Sequence, residues 1–170
     1  TNKPALKVMQ RPRSEKKLPT QIAMAAGKEI DGKRLNVIPQ IIYGLPGEGL
    51  SDYFRSFDFV YDLDVQEVAM YHLLVLRDTQ FYRDKETHGF VYEADPPHRL
   101  IASNTFSRED ILLAAKLSCL AMATQYTLRQ IIREHCRLNQ ITPLSFFLDH
   151  VRVGDMPDAL ARSLPIYTAE

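Results

Sequence analysis

The sequence predicts an α/β fold, with a parallel strand–helix–strand unit in its first half and helices in its second. Three observations predict it. Two near-continuous apolar runs, LNVIPQIIYG and VAMYHLLVL, have the length and composition of strands covered on both faces. Between them, DYFRSFDFVYDL places Tyr53, Phe54, Phe57, Val60 and Tyr61 three and four residues apart, on one face of a helix. Beyond Ser107 the chain carries a long helical pattern. Strand, helix and strand in immediate succession make a βαβ unit, for which a right-handed crossover into a parallel sheet is expected.

The elements follow in order. The chain opens TNKPALKVMQRP, where Pro4 and a short apolar turn read as the tail of an element that starts further upstream, so a piece of a longer protein is expected. Ser14 is a candidate N-cap for a helix to about Ile30, with Pro19 in its first turns and Gly32 placed to stop it. The first strand is Leu35 to Tyr43, and Pro39 places it at an edge or a bulge. Gly44 to Gly49 is a tight turn, Leu50 or Ser51 opens the amphipathic helix, and Val68 to Leu76 is the second strand. A helix fits Thr79 to His88, with Gly89 as its C-cap. Asp95, Pro96 and Pro97 break the chain, Ala94 to His98 reads as a linker, and an organisational boundary falls at about residue 93. Ser107 caps a helix from Arg108 to about Leu138, with Asp110 in the position where Glu or Gln would complete a capping box. Short helices are expected near 144–151 and 158–162.

Composition excludes several classes. The 170 residues carry 21 Lys plus Arg against 21 Asp plus Glu, and a zero balance supplies no electrostatic footprint for nucleic acid. No apolar run reaches the roughly 18 to 20 residues that span a bilayer, and the first twenty residues hold no apolar signal core, so no membrane partner is expected. The two cysteines, Cys119 and Cys136, form neither a disulfide framework nor a zinc pattern, which suits a reducing, cytoplasmic compartment. Both read as small apolar residues on a helix. A metal site from the adjacent His135 and Cys136 is not expected, because neighbours on a helix point about 100° apart.

The turn GLPGEG stands between a buried strand and a helix N-terminus. Backbone N–H groups and glycines at such a corner suit an anion or a cofactor edge, and an ordinary βα turn fits the same residues. It is neither GxGxxG nor GxxxxGK[ST]. His72, inside the second apolar run, either faces a cavity and handles substrate, or is a core histidine, or points to a covering helix.

Taken together, ALKVMQRPRS, VIPQIIYGLPGEGLSDYFRSFDFVYDL and VQEVAMYHLLVLRDTQFYRDKETHGFVY, in that order, resemble the second half of a radical S-adenosylmethionine (SAM) enzyme. The likeness is to members with an N-terminal cobalamin-binding domain. In that family a strand runs into I-x-G-L/F-P-G-E-T, a later turn reads P-G-T, and a short upstream helix ends M-N-R. Met9, Gln10 and Arg11 match the last piece, Ile42, Gly44, Leu45, Pro46, Gly47 and Glu48 match the loop, and Arg77, Asp78 and Thr79 occupy the later turn. The segment 92–135, with EADPPHRLIASNTFSREDILLAAKL, resembles the helical extension that follows the barrel in some members. Gly49 replaces the loop's Thr and Asp78 the turn's Gly.

The resemblance implies the C-terminal part of a partial (β/α) TIM-like barrel in residues 1–92, followed by a helical extension in 93–170. It implies an enzyme that cleaves SAM with a reduced 4Fe-4S cluster, the resulting radical abstracting hydrogen or a cobalamin passing on a methyl group. The cluster-binding CxxxCxxC is absent from this chain, and Cys119 and Cys136 cannot supply three closely spaced thiolates. The chain alone is therefore expected to bind no cluster and to turn over nothing. By resemblance, Ile42, Tyr43, Gly44, Leu45, Pro46, Gly47 and Glu48 border SAM. Arg11 either pairs with its carboxylate or is one of several solvated basic residues. Glu48 either touches ribose or caps the next helix, and His72 is the substrate candidate. The expected partners are the missing N-terminal part of the same protein or a second copy, through an exposed strand edge or the 108–138 helix. A non-catalytic α/β module that dimerises or docks on a partner fits the same residues.

Overall fold

A computed structural model of the chain describes residues 18–151. Met9 to Arg11, Ser14 and the helix expected near 158–162 lie outside the described residues. The described chain is a mixed α/β fold with small sheets.

Helix α1 spans Leu18–Ala26 and stops at Gly27, short of the expected end. The next residues form an antiparallel hairpin instead, β1 (Glu29–Ile30) with β2 (Lys33–Arg34). Asp31 (φ 52°) and Gly32 (φ 72°) are both left-handed, as a two-residue hairpin turn requires, so Gly32 serves this turn and not a helix end.

The βαβ unit is present. Strand β3 (Gln40–Tyr43) pairs in parallel with β4 (Ala69–His72), Tyr43 opposite His72, and helix α2 (Leu50–Asp62) connects them. Pairing begins only after Pro39, which has no N–H to give but accepts the Ala69 N–H on its carbonyl at 2.9 Å. Helix α2 buries Tyr53, Phe57, Val60 and Tyr61, the face its spacing predicts. The second apolar run does not continue as a parallel strand. Leu74 pairs antiparallel with Arg99, and the Val75 and Leu100 N–H groups donate to the His98 and Leu73 carbonyls.

Residues 98–100 belong to a second hairpin, β5 (Val91–Tyr92) with β6 (Leu100–Ala102). Ala94 to His98 is therefore a hairpin turn rather than a linker, and an Arg99–Glu93 ion pair at 3.3 Å closes its base. Residues on both sides of position 93 share one hydrophobic core, which includes Phe57, Tyr61 and Met70 before it and Leu100, Phe106, Ile111 and Leu117 after it.

The helix expected from Thr79 to His88 divides at Asp84 into α3 (Gln80–Arg83) and α4 (Lys85–His88). Its ends are as expected: the Thr79 hydroxyl accepts the Tyr82 N–H, and Gly89 adopts φ 60°. A Cβ at Gly89 would fall 2.1 Å from Asn104 Oδ1, so glycine is required there.

The long helix is broken. Helix α5 runs Arg108–Ala123, α6 runs Tyr126–Asn139, and the two meet at a bend of 112°. Asp110 completes the capping box of α5 despite its shorter side chain, accepting the Ser107 N–H at 3.0 Å while the Ser107 hydroxyl accepts the Asp110 N–H at 3.1 Å. Thr124 and Gln125 end α5 without glycine or proline. The Gln125 amide instead brackets Val68, accepting its N–H at 3.2 Å and donating to its carbonyl at 2.8 Å. Helix α7 (Pro143–His150) closes the fold and packs Phe147 edge-on against Phe57 and Tyr61.

Candidate functional site

The turn after β3 rests directly against the core. Tyr43 and Leu45 are buried hydrophobics and Pro46 is buried beside them, while Gly47 is exposed. Gly44 has φ 87°, and a Cβ there would meet Leu100 Cδ2 at 2.8 Å and Ile111 Cδ1 at 3.2 Å. The close approach that a glycine permits is thus made by two side chains of the second half of the chain.

Glu48 is 8% exposed. Burial, and then the neighbouring Asp52, push its carboxyl up to about 7. Of the two roles open to Glu48, the cap of α2 is filled by Asp52, whose Oδ2 accepts the Gly49 N–H at 3.0 Å. Asp52 is itself ion-paired to Arg55.

His72 ends β4 opposite Tyr43, and the two rings lie 4.9 Å apart. Both side chains stand on the face covered by α2 and α5. The Tyr43 ring meets Tyr53 edge-on at 5.5 Å, and the Tyr53 hydroxyl reaches the Ser118 hydroxyl at 2.8 Å and donates to the Ala114 carbonyl at 3.1 Å. His72 Nε2–H donates to the Leu100 carbonyl at 2.6 Å. Burial lowers its pKa, and that hydrogen bond opposes the shift only in part. Burial likewise raises the Tyr43 phenol and the Cys119 thiol.

Ile42 and Tyr71 are paired in register on the opposite face of the two strands, 45% and 49% exposed. Ile42 thus stands apart from the rest of its turn, and Arg11 lies outside the described residues. Cys136 is buried on α6 and Cys119 half-buried on α5, both as free thiols. Among the described residues no three His, Cys, Asp or Glu side chains assemble as a metal site.

The sequence reading missed an arginine pair. Arg129 is fully buried, and its guanidinium donates to the carbonyls of Val60, Leu63 and Val65 at 3.0 Å each and to that of Tyr61, lying over the Tyr61 ring. Burial, and then Arg133, lower its pKa to about 10. Arg133, one turn on, donates to the Asp62 carbonyl at 2.6 Å and pairs with Asp64 at 3.3 Å. Together they hold the negative end of α2. Their spacing of four was the available signal, but on an amphipathic helix it reads as solvated charge. In the groove beside them, between α2, α6 and α7, Asp58 accepts the Leu144 N–H at 2.6 Å, and Arg137 pairs with Glu134.

Among the described residues no single helix is long and apolar enough to cross a membrane. In comparisons with known proteins, no family model and no curated protein matches the chain.

Proposed function

We propose that the chain is the C-terminal part of a radical SAM barrel, which adds strands and a cofactor-facing edge to a pocket built largely elsewhere and turns over nothing alone. The observation that carries this reading is the half-covered parallel pair. Parallel strands are almost always covered on both faces, yet among the described residues β3 and β4 have helices on one face and leave Ile42 and Tyr71 on the other. In a (β/α) barrel the helix-free face is the interior, so Ile42, beside the Gly44–Glu48 turn, takes the position of a contact to SAM. Tyr71 then takes the interior position considered for His72, whose ring is held against Tyr43 and the Leu100 carbonyl. The edges are also unequal. Gln125 closes the outer edge of β4 at Val68, which directs strand addition to the outer edge of β3, at Gln40 and Ile42.

The cluster and SAM would supply the reductive cleavage; this chain's residues would bind and orient. Cys119 and Cys136 are not suited to the cluster, since they sit on different helices without a third thiol. Whether a cobalamin takes part is decided by the upstream segment.

The test is anaerobic reconstitution of the protein encoded from upstream of Thr1 through Glu170. Expected are a CxxxCxxC in the upstream segment, a bound cluster and 5'-deoxyadenosine formation. Ile42→Glu, at a solvent-facing site of this chain, should abolish SAM binding. The 170-residue chain alone should hold no cluster; iron and sulfide bound to it stoichiometrically would overturn the reading.

A second reading, a non-catalytic interaction module, is favoured by one observation. Leu100 and Ile111 fill the space over Gly44 where a cofactor edge would approach. Absence of binding to SAM and S-adenosylhomocysteine, together with a stable dimer blocked by Ile42→Lys, would select it.

A further inference from the structure

We infer that the α5–α6 junction is the hinge of a domain swap, in which two copies of this chain exchange the segment from Tyr126 onward and α5 and α6 merge into one helix. The inference rests on the bend itself and is independent of any SAM chemistry.

The local contribution to the bend is small: the Thr124 hydroxyl bonds back to the Leu120 and Ala121 carbonyls at 2.9 and 3.2 Å, which loosens a helix slightly. The residues across it, AMATQYTLRQ, contain neither glycine nor proline and consist largely of tolerable helix formers. Tyr126 is held at φ 55°, a left-handed conformation that a bulky L-residue adopts only under constraint. Two sets of contacts hold the bent form, and they differ in what a swap would do to them.

The first set exists only when the chain turns back on itself. Gln125 brackets Val68, and the Tyr126 N–H donates to the Gln66 carbonyl at 3.0 Å. The second set is indifferent to which copy supplies α6 and α7. It comprises the Arg129 fork on the carbonyls at the end of α2, and Phe147 against Phe57 and Tyr61. In a swapped dimer the second set re-forms between protomers, the first is lost, and the left-handed Tyr126 relaxes into a continuous helix. Short hinges under strain favour this exchange, because the closed contacts are the same in monomer and dimer.

The test is refolding of the full chain from denaturant at low and high concentration, followed by size-exclusion chromatography with light scattering. A monomer at low and a dimer at high concentration are expected. Tyr126→Gly tolerates φ 55° and disfavours the merged helix, so it should weaken the dimer by at least about 100-fold, about tenfold for each of two hinges. Gln125→Ala removes a contact of the monomer alone and should strengthen it. Spin labels at Glu109→Cys and Leu138→Cys, in a chain with Cys119→Ala and Cys136→Ala and diluted into unlabelled protein before refolding, read the hinge directly. Their helix positions should be about 23 Å apart in the bent monomer and about 44 Å apart in the merged helix. A chain that stays monomeric at every concentration overturns the inference. So does a dimer that keeps the shorter distance, or one that Tyr126→Gly leaves unchanged or Gln125→Ala weakens.

Discussion

Arg129 shows how one side chain can organise a junction. Four carbonyls at the end of α2 and the loop after it converge on a single buried guanidinium. Removing it takes a donor from all four; the Val60 and Leu63 carbonyls keep the N–H groups of Leu63 and Val65, so Arg129→Ala should cost about 2 to 4 kcal/mol in urea unfolding. Arg129→Lys, a point charge without the fork, should restore less than half of that. Glu48 acts in the opposite sense, since its folded form holds a proton to about pH 7 that the unfolded chain releases near its ordinary value of 4.5. Between those values the native state binds more protons, so stability falls as pH rises and levels off above about 7. Glu48→Gln should flatten that slope and stabilise the chain at pH 8 by up to about 3 kcal/mol, with little gain at pH 4. Denaturation at both pH values checks it.

At the scale of elements, two glycines separate backbone strain from packing. Gly32 (φ 72°) has nothing within 4 Å of a built Cβ, whereas Gly44 (φ 87°) has Leu100 at 2.8 Å and Ile111 at 3.2 Å. Gly32→Ala should cost only the left-handed strain, about 1 kcal/mol. Gly44→Ala adds overpacking of the core and should cost about 2 to 4 kcal/mol. Equal melting shifts for the two would mean that the β3 turn is not fastened to β6 and α5 as described. The same turn looked in the sequence like a cradle for a ligand because Gly, Pro and Glu compose both. What fills the space over Gly44 comes from more than fifty residues away, which local pattern cannot register. The hairpin at 29–34 was hidden differently: two-residue strands are too short to leave a periodicity, and only the Asp-Gly pair signals the turn.

For the whole molecule, the open face of the parallel pair decides behaviour. Ile42→Lys and Tyr71→Lys replace exposed apolar side chains, so each should move the unfolding free energy of the isolated chain by no more than about 0.5 kcal/mol. Each should also reduce association with whatever completes the sheet, measured by light scattering or by pull-down of the upstream segment. A large loss of stability in the isolated chain would show that this face is already covered. The period-two alternation in IIY and MYH would have separated Ile42 and Tyr71 from Tyr43 and His72, but in a continuous apolar run both faces look alike.

The sequence by itself determined the βαβ order, the apolar face of α2, the Ser107 cap, the Gly89 stop and a short helix near 144–151, because each rests on spacing or on a single residue's conformational preference. Only the tertiary structure decided where the apolar runs pair, which way His72 faces, and that the helical stretch after Ser107 folds back at Thr124. Those outcomes depend on contacts between distant segments: Leu100 with Gly44 and His72, Gln125 with Val68, and Arg129 with the end of α2. A helix of favourable residues bends when the burial and hydrogen bonds gained across the bend exceed the strain at one residue, and that balance is settled between segments, not within one.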